Sequence, residues 1–305
     1  MDELLTLKNV TKIIKGKTII NDLSFSVTKG EVFGFLGPNG AGKTTTIRMI
    51  VGLMEISKGD IVVCGKSIKQ DFEAAVRNIG AIVENPEMYK YLSGYQNLMQ
   101  YARMHKGITK EKVDEVIQLV GLTKRIHDKV RTYSLGMRQR LGLAQCLLHD
   151  PKLLILDEPT NGLDPAGIRE IRDHLKVLTR EKGMSVIVSS HLLSEMEMMC
   201  DRIAIIQNGK LTTIQSIHNE QEQAEQQLFE FETGELGSTK AWLTNDMNAI
   251  ITEKGFTLHA DKEQIPLLLK QLIKDDINVY SVKPISKSLE DRFLELTEQG
   301  GKNVG

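Results

Sequence analysis

The stretch GPNGAGKT, from Gly37 to Thr44, constrains the fold more than any other part of the sequence. It follows an apolar run at 31–36 and leads into TTTIRMIVGL at 44–53, a pattern typical of a helix. A strand, a glycine-rich loop and a helix in this order form a phosphate-binding loop, whose backbone N–H groups face the phosphates. We therefore predict that Lys43 reaches the terminal phosphates of a nucleotide and that the Thr44 hydroxyl binds Mg²⁺.

The pattern of apolar runs predicts an α/β core around this loop. Short apolar runs that predict strands buried on both faces lie at 31–37, 152–159, 184–191 and 202–210. Helical patterns alternate with them, including an apolar stripe at Val113, Val116, Ile117 and Val120. A second helix pattern ends at Gly183, a predicted C-cap. The stretch 4–30 alternates between turn signals at Lys15-Gly16 and Lys29-Gly30, and predicts a small antiparallel β subdomain.

Charge and composition divide the chain into two predicted domains, 1–215 and 216–305. The first carries 30 basic and 24 acidic residues, net +6, and the second 9 and 16, net −7. HNEQEQAEQQ (218–227) predicts a linker or an exposed helix. Beyond it, strand patterns at 228–233, 256–260 and 277–282 and helix patterns at 266–275 and 288–296 predict a small α+β domain. An acidic tail argues against a nucleic-acid-binding arm.

The cysteines and the N-terminus indicate a cytoplasmic protein. Cys64, Cys146 and Cys200 match neither a disulfide framework nor a zinc spacing, so they are interpreted as reduced thiols. MDELLTLKNV lacks a signal pattern, and no apolar run approaches the roughly 18 residues of a spanning helix. A membrane role would therefore need a partner chain.

The run LLILDEP supplies two candidate carboxylates. A buried strand that ends in Asp157 places that side chain at the carboxyl edge of the sheet, where doubly wound proteins bind ligands. Asp157 would orient Mg²⁺, directly or through water, and Glu158 would polarise the attacking water as general base. Alone, such a pair is more often a solvated helix cap, but the phosphate-binding loop favours the functional interpretation.

Three further motifs follow in order: YSLGMRQRLGLA (133–144), NGLD (161–164) and His191. With them the chain resembles the ATP-binding cassette (ABC) ATPases, the nucleotide-binding subunits of ABC transporters, over residues 1 to about 215. The resemblance implies a P-loop fold with a helical signature subdomain at about 86–145. It also implies two cassettes, from a homodimer or from a pairing with a related cassette, that face each other head to tail around two ATP molecules.

The same resemblance assigns roles residue by residue. It implies that Ser134 and Gly136 bind the γ-phosphate across the dimer interface, that Asp164 couples the two sites, and that His191 contacts the γ-phosphate within its own half. The catalytic candidates are Glu158, His191 and Lys43, and those for Mg²⁺ are Thr44, Glu84 and Asp157. The candidates for ATP binding are Gly37, Pro38, Asn39, Gly40, Ala41, Gly42, Lys43, Thr44, Thr45, Ser134, Gly136 and Asp164. Taken singly, a histidine after a strand, such as His191, is usually structural. Ser134 taken singly is interpreted as a helix N-cap, which is compatible with phosphate binding.

Three positions depart from the common family pattern. Ile13 or Ile14 stands where an aromatic ring usually stacks on adenine, a contact worth roughly 1 to 3 kcal/mol. Leu135 replaces a glycine of the signature, where it would crowd the partner's phosphate. Glu84 replaces the glutamine that ligates Mg²⁺ beside the coupling helix of the membrane subunit. A carboxylate is an even better ligand for this hard cation, so we expect closure to depend more strongly on the metal.

Glu84, its neighbourhood ENPEMYKYLSGYQNL and the C-terminal extension resemble the ATPases of bacitracin-resistance and lantibiotic-immunity exporters. This resemblance implies an ATPase that powers export of a membrane-active peptide or other hydrophobic compound through separate integral membrane permeases. The protein would then lie on the inner face of the membrane, without a nucleic-acid partner. Two alternatives stay open: a non-transport cassette ATPase acting on nucleic acid or ribosomes, and a nucleotide-gated switch with little turnover.

Overall fold

The computed structural model describes residues 3–217, 227–234, 243 and 249–285. The chain divides into two compact units, Met1–Ile217 and His218–Gly305. The predicted linker or helix at 218–227 lies almost entirely outside the described residues, and the predicted helix at 288–296 lies wholly outside them. Within the described residues, no helix is both long enough and apolar enough to cross a membrane.

The first unit begins with an antiparallel sheet, which was predicted for residues 4–30 and also includes two strands beyond them. Its strands are β1 (Glu3–Ile14), β2 (Lys17–Thr28), β4 (Lys58–Val63) and β5 (Lys66–Ser67), in the order β2-β1-β4-β5. A turn with positive φ at Lys15 and Gly16 joins β1 to β2, as the turn signal predicts. The alternation of the sequence buries one face of this sheet, including Leu5, Leu7 and Val10.

The central sheet contains the four predicted strands and two more. Its strands are β3 (Val32–Leu36), β6 (Ile79–Ile82), β7 (Leu153–Asp157), β8 (Ser185–Ser190), β9 (Arg202–Gln207) and β10 (Lys210–Ser216). Their order is β10-β9-β3-β8-β7-β6, and all neighbours are parallel except β10 and β9. Because β3, β8 and β7 are adjacent and parallel, the residues that follow them meet at one edge.

Helices cover the central sheet and form the helical subdomain. They are α1 (Lys43–Ile50), α2 (Phe72–Val76), α3 (Gly94–Met104), α4 (Lys110–Leu119), α5 (Leu135–Leu147), α6 (Pro165–Arg180) and α7 (Leu193–Met199), with a 3₁₀ turn at Val130–Thr132. Side-chain oxygens of Ser93, Thr109, Ser134 and Asp164 cap four of them. The predicted apolar stripe of α4 is buried. Gly183 lies just beyond the end of α6 with a φ of 62°, and its N–H donates to the Thr179 carbonyl.

One hydrophobic core joins the antiparallel sheet to the central sheet. Phe25 of β2 stacks on Phe33 of β3, with ring centroids 5.3 Å apart and nearly parallel planes. Ile47 and Met49 of α1 are buried in the same cluster. The helix that starts at the phosphate-binding loop is therefore packed on both sheets, which fixes the loop relative to each.

The second unit is α+β, as predicted. Its strands are β11 (Gln227–Thr233), β12 (Ile250–Thr252), β13 (Gly255–Ala260) and β14 (Val279–Ile285), in the antiparallel order β12-β13-β11-β14. Helix α8 (Ile265–Lys274) connects β13 to β14. Phe231 and Phe256 stack with centroids 4.7 Å apart and are buried with Leu272 of the helix, which gives this unit a core of its own.

Candidate active site

The phosphate-binding loop needs glycine at defined positions. A Cβ at Gly37 would come within 2.4 Å of the Ile206 carbonyl oxygen, and one at Gly42 within 2.4 Å of Ile20 Cδ1. Gly40 and Gly42 also have positive φ values of 81° and 108°, a region that favours glycine. The loop therefore keeps its shape because side chains are excluded from it.

Gly209, which sequence reasoning missed, ties the loop to both sheets. Its N–H donates to the Ala41 carbonyl at 2.9 Å, and its carbonyl accepts from Asn21 at 2.8 Å. A Cβ on Gly209 would lie 1.9 Å from the Ile19 carbonyl oxygen. The signal was available in Asn208-Gly209, a turn dipeptide between two strands, although nothing in it points to the phosphate-binding loop.

Lys43, at the first position of α1, lies among oxygen atoms. Its side chain is 6% exposed, and its ammonium donates to the Gly37 carbonyl at 2.7 Å. The same Nζ lies 3.3 Å from Glu158 Oε1. Thr44 and Thr45 follow in the first turn of the helix, where they are partly exposed. The structure thus brings the predicted cation of the loop into contact with the predicted general base.

Asp157 and Glu158 are held together by Ser189, a residue that sequence reasoning missed. The Ser189 hydroxyl donates to Asp157 Oδ1 at 2.5 Å and accepts from the Glu158 backbone N–H at 2.9 Å. Asp157 is 2% exposed, at the end of β7. One buried hydroxyl on β8 therefore sets both the carboxylate predicted to bind Mg²⁺ and the backbone of its neighbour. The pair of serines directly before His191 was the available signal.

Glu158 lies between a lysine and a histidine. His191 Nδ1 is 2.7 Å from Glu158 Oε2, while Lys43 approaches the other carboxylate oxygen. Glu158 has a φ of 51°, in the left-handed region that non-glycine residues rarely adopt, and its side chain is 23% exposed. A carboxylate oriented by two groups and still open to solvent is suited to accept a proton from water. In this structure His191 contacts Glu158 directly.

A second buried carboxylate anchors the turn that carries His191. Glu195 Oε2 accepts from the Thr160 hydroxyl at 2.6 Å and from the Ser190 hydroxyl at 3.2 Å. These bonds connect the start of α7 to the loop that follows Glu158 and to the end of β8. No sequence pattern indicates this link, because Glu195 is an ordinary acidic residue in the first turn of a helix.

Ser134 and Asp164 are exposed and cap their own helices. Ser134 Oγ accepts from the Met137 N–H at 3.2 Å at the start of α5, and Asp164 Oδ1 accepts from Gly167 at 3.0 Å at the start of α6. The helix-cap interpretation of Ser134 is therefore confirmed. Two helix N-termini presented on the surface are a suitable arrangement for anionic groups of a ligand.

The loop at 161–164 also contacts the start of α5. Leu135 Cδ2 lies 3.2 Å from the position that a Cβ on Gly162 would occupy, and Leu163 Cδ2 lies 3.8 Å from the corresponding position on Gly136. Leu135 therefore packs beside a glycine of its own chain, where a larger residue at position 162 would collide with it.

Glu84 lies two residues beyond β6 and forms an ion pair. Its Oε1 is 2.5 Å from Arg48 Nη2, and the two side chains are 61% and 40% exposed. Its backbone has a φ of 67°. The described contact of this predicted Mg²⁺ ligand is thus with an arginine of α1.

A groove of about 400 Å³ opens beside Glu84. Its lining includes Leu53, Val83, Pro86, Tyr101 and Cys146. The Tyr101 hydroxyl donates to the Glu87 carbonyl at 3.0 Å and so fixes one wall. Burial raises the pKa of Cys146 to about 12, which disfavours the reactive thiolate at neutral pH.

Ile13 and Ile14 lie at the end of β1, opposite Thr18 and Lys17 of β2. Both are exposed large apolar side chains.

Among the described residues, no group of three or more His, Cys, Asp or Glu is arranged to hold a metal ion.

Comparisons with known proteins identify the family of this chain. The sequence pattern of the ABC transporter family matches residues 20–161. YhcH of Bacillus subtilis (strain 168), an uncharacterized ABC transporter ATP-binding protein, is 64% identical over 305 residues, which cover 100% of this chain and 99% of that protein. The bacitracin transport ATP-binding protein BcrA of Bacillus licheniformis is 36% identical, with 100% of each chain covered. The solved structure of an ATP-binding subunit of an ABC transporter has a TM-score of 0.64 and 29% identity, and the match covers 72% of this chain and 92% of that one.

Proposed function

Because this chain belongs to the ABC transporter ATP-binding proteins, which are ATPases coupled to transport, we propose that it powers export of a membrane-active peptide. The peptide would be bacitracin-like or lantibiotic-like, or the cargo another hydrophobic compound, and would pass through separate membrane permeases. The similarity to a bacitracin transport protein over the whole chain supports this substrate class. The observation that carries the ATPase site is the contact chain Lys43–Glu158–His191 at the carboxyl edge of the central sheet.

In the proposed reaction, Glu158 orients and activates the attacking water. Its carboxylate is positioned by His191 on one oxygen and by Lys43 on the other, so it needs little reorganisation to accept a proton. Lys43 lies at the start of α1, where backbone N–H groups of the loop and the helix dipole favour phosphate. Its ammonium would exchange the Gly37 carbonyl for a phosphate oxygen.

The donors near Asp157 suit Mg²⁺. The Asp157 carboxylate and the Thr44 hydroxyl are hard oxygen ligands, and Mg²⁺ is commonly bound by one or two carboxylates together with phosphate oxygens. Ser189 orients Asp157 in the manner of a partner outside the coordination sphere. Glu84 is proposed as a further oxygen ligand. When bound, the ion would neutralise negative charge on the phosphates.

The exposed helix N-termini support a head-to-tail dimer. The contacts of Ser134 and Asp164 are with their own helices, at the surface of the chain. We propose that Ser134 and Gly136 meet the nucleotide of a second cassette, either another copy of this chain or a related one, and that Asp164 contributes to the same interface.

The groove beside Glu84 is the proposed docking surface for the permease. It is lined by apolar and polar residues on both sides of Glu84 in the chain, and the exposed Tyr89 and Tyr91 follow those residues in sequence. Aromatic residues of this kind are enriched in protein interfaces. Docking there would place the chain on the inner face of the membrane.

The test combines purification and complementation. We expect the tagged chain to copurify from membranes with an integral membrane permease, and a deletion strain to become more sensitive to bacitracin or a lantibiotic. The native gene should restore resistance, whereas Lys43→Ala should not. Copurification with ribosomes or nucleic acid instead of a permease would contradict the proposal and favour a non-transport cassette.

A further inference from the structure

Glu84 has a specific partner on the helix that follows the phosphate-binding loop. Arg48 Nη2 lies 2.5 Å from Glu84 Oε1, a charge-assisted contact. The Glu84 backbone is in the left-handed region, with a φ of 67°. Such a conformation is uncommon outside glycine and persists where the surroundings hold it. The ion pair is therefore one of the features that define where this carboxylate lies.

Arg48 also has a defined relation to the nucleotide site. It follows Thr44 by four residues in α1, so the two side chains lie on the same helix face, about 6 Å apart along the axis. The partner of Glu84 thus lies on α1 one helical turn after Thr44, whose hydroxyl is proposed to bind Mg²⁺. The guanidinium and the ion would be held by one carboxylate, so they would compete for its negative charge.

The charges indicate what the pair does. A carboxylate close to nucleotide phosphates is repelled by them when no metal ion is present. A guanidinium remains protonated in proteins and offsets that charge. We propose that Arg48 is a positioning residue that neutralises Glu84 in the metal-free state and releases it in the metal-bound state. This inference rests on the proposed function of the nucleotide site.

The exposure of the pair suits an exchangeable contact. The Arg48 and Glu84 side chains are 40% and 61% exposed, and ion pairs in contact with solvent are weak and screened by salt. A stronger oxygen-seeking cation can therefore compete for the carboxylate. By contrast, Lys43 and Glu158 are 6% and 23% exposed, which makes their pairing less accessible to such competition.

The test is equilibrium binding of a fluorescent ATP analogue to the full-length chain, with excess EDTA and with saturating Mg²⁺. The proteins compared are native, Arg48→Gln, Glu84→Gln and the double variant. Without metal, we expect Arg48→Gln to weaken binding about two- to fivefold more when Glu84 is intact than in the Glu84→Gln background, the range of an exposed ion pair. With Mg²⁺, that difference should fall below about twofold. Arg48→Lys keeps the charge and should restore most of the metal-free affinity.

An Arg48→Gln effect of equal size in both backgrounds would overturn the inference, because it would reflect only a lost attraction to phosphate. A background difference that persists unchanged with Mg²⁺ would overturn it as well. If Arg48→Gln does not fold, Arg48→Lys and Glu84→Gln are each compared with the native chain under EDTA. We expect Glu84→Gln to alter the metal-free affinity for the ATP analogue and Arg48→Lys to leave it near the native value. A native chain that binds no nucleotide under either condition would contradict the proposed function itself, whereas binding without this coupling contradicts the inference alone.

Discussion

Two neighbouring parallel strands, β6 and β7, are each followed by a glutamate in the left-handed conformation. Ile82 pairs with Leu156 at the end of the two strands, and Glu84 and Glu158 lie two residues beyond that pair. Their φ values are 67° and 51°. The two sites therefore present the same side chain from the same backbone conformation at the same level of the sheet.

Their surroundings differ. Glu158 is 23% exposed and contacts both Lys43 and His191. Its backbone N–H donates a hydrogen bond to the Ser189 hydroxyl. Glu84 is 61% exposed, and its described partner is Arg48 alone. Position at a strand end places a carboxylate at the site, but the number of partners decides how firmly it is held. We therefore expect Glu158 to serve chemistry, which needs fixed geometry, and Glu84 to serve a state-dependent contact.

Removing the carboxylate of Glu158, the more firmly held of the two glutamates, has the largest expected effect on ATP turnover. Glu158→Gln keeps the size of the side chain but removes its capacity to accept a proton, so ATP turnover should fall by about 100-fold or more while nucleotide binding persists. Steady-state phosphate release and equilibrium binding measure the two quantities. Glu181→Gln, an exposed glutamate after α6, is the control and should turn over at the native rate. Native turnover in Glu158→Gln would refute the assigned base.

The support given by Ser189 is tested by a matched pair on one strand. Ser189 and Ser185 are both buried on β8, and each donates one hydrogen bond and accepts another. Substitution of either by alanine should lower the free energy of unfolding by about 1 to 3 kcal/mol, because buried polar partners lose their bonds.

The two serine variants should differ in activity. Ser189→Ala should lower ATP turnover by about tenfold, since Asp157 and Glu158 lose a shared anchor. Ser185→Ala, which bonds to Thr28 and Gly30 at the other end of the strand, should leave turnover near native. Equal losses of activity in both variants would show that stability alone, and not positioning, explains the effect.

Substitution of Glu84, the more exposed glutamate, should change the Mg²⁺ dependence of ATP turnover more than its maximal rate. Glu84→Gln replaces a carboxylate by a weaker ligand for a hard cation, so the Mg²⁺ concentration at half-maximal turnover should rise about two- to tenfold. The maximal rate should change less than in Ser189→Ala. A Mg²⁺ titration of ATP turnover measures both, and curves identical to native would remove Glu84 from the metal site.

The smallest effect concerns the opposite end of β6. Burial, with a further contribution from the stacked His105, lowers the pKa of His149 below its usual 6.5, although the Ile79 carbonyl, 3.0 Å away, and Asp150 oppose this. Well above pH 6.5, His149 is neutral in both the folded and the unfolded chain, so its titration does not reduce the free energy of unfolding. As the pH falls below 6.5 the unfolded chain binds the proton more readily, so stability decreases.

His149→Gln should therefore reduce the loss of stability between pH 7.5 and pH 5.5, since Gln retains a donor for Ile79 but does not titrate. Urea unfolding followed by circular dichroism at both pH values measures this difference. His259→Asn, on an exposed face of the second unit, is the control. An acid loss as large in His149→Gln as in the native chain would exclude His149 as its source.

Much of the fold follows from local pattern. The four predicted strands of the central sheet are confirmed, because strands buried on both faces leave uninterrupted apolar runs. The strands β4, β5, β6, β10 and β12 were not predicted. For β5 and β12 the reason is length, since two or three residues carry too little periodicity to distinguish them from a turn. The predicted small α+β character of the second unit is confirmed by the four strands and the helix α8 among its described residues.

By itself, the sequence determined the family, the α/β core and the identity of the phosphate-binding loop, because glycine spacing and burial patterns act over a few residues. Only the tertiary structure decided which side chains meet. Gly209 reaches Ala41, Ser189 joins Asp157 to Glu158, and Arg48 pairs with Glu84. Each of these contacts joins segments separated by 31 or more positions in the chain. The distance in space between such segments depends on how the sheets and helices pack, and a local sequence pattern does not determine that packing.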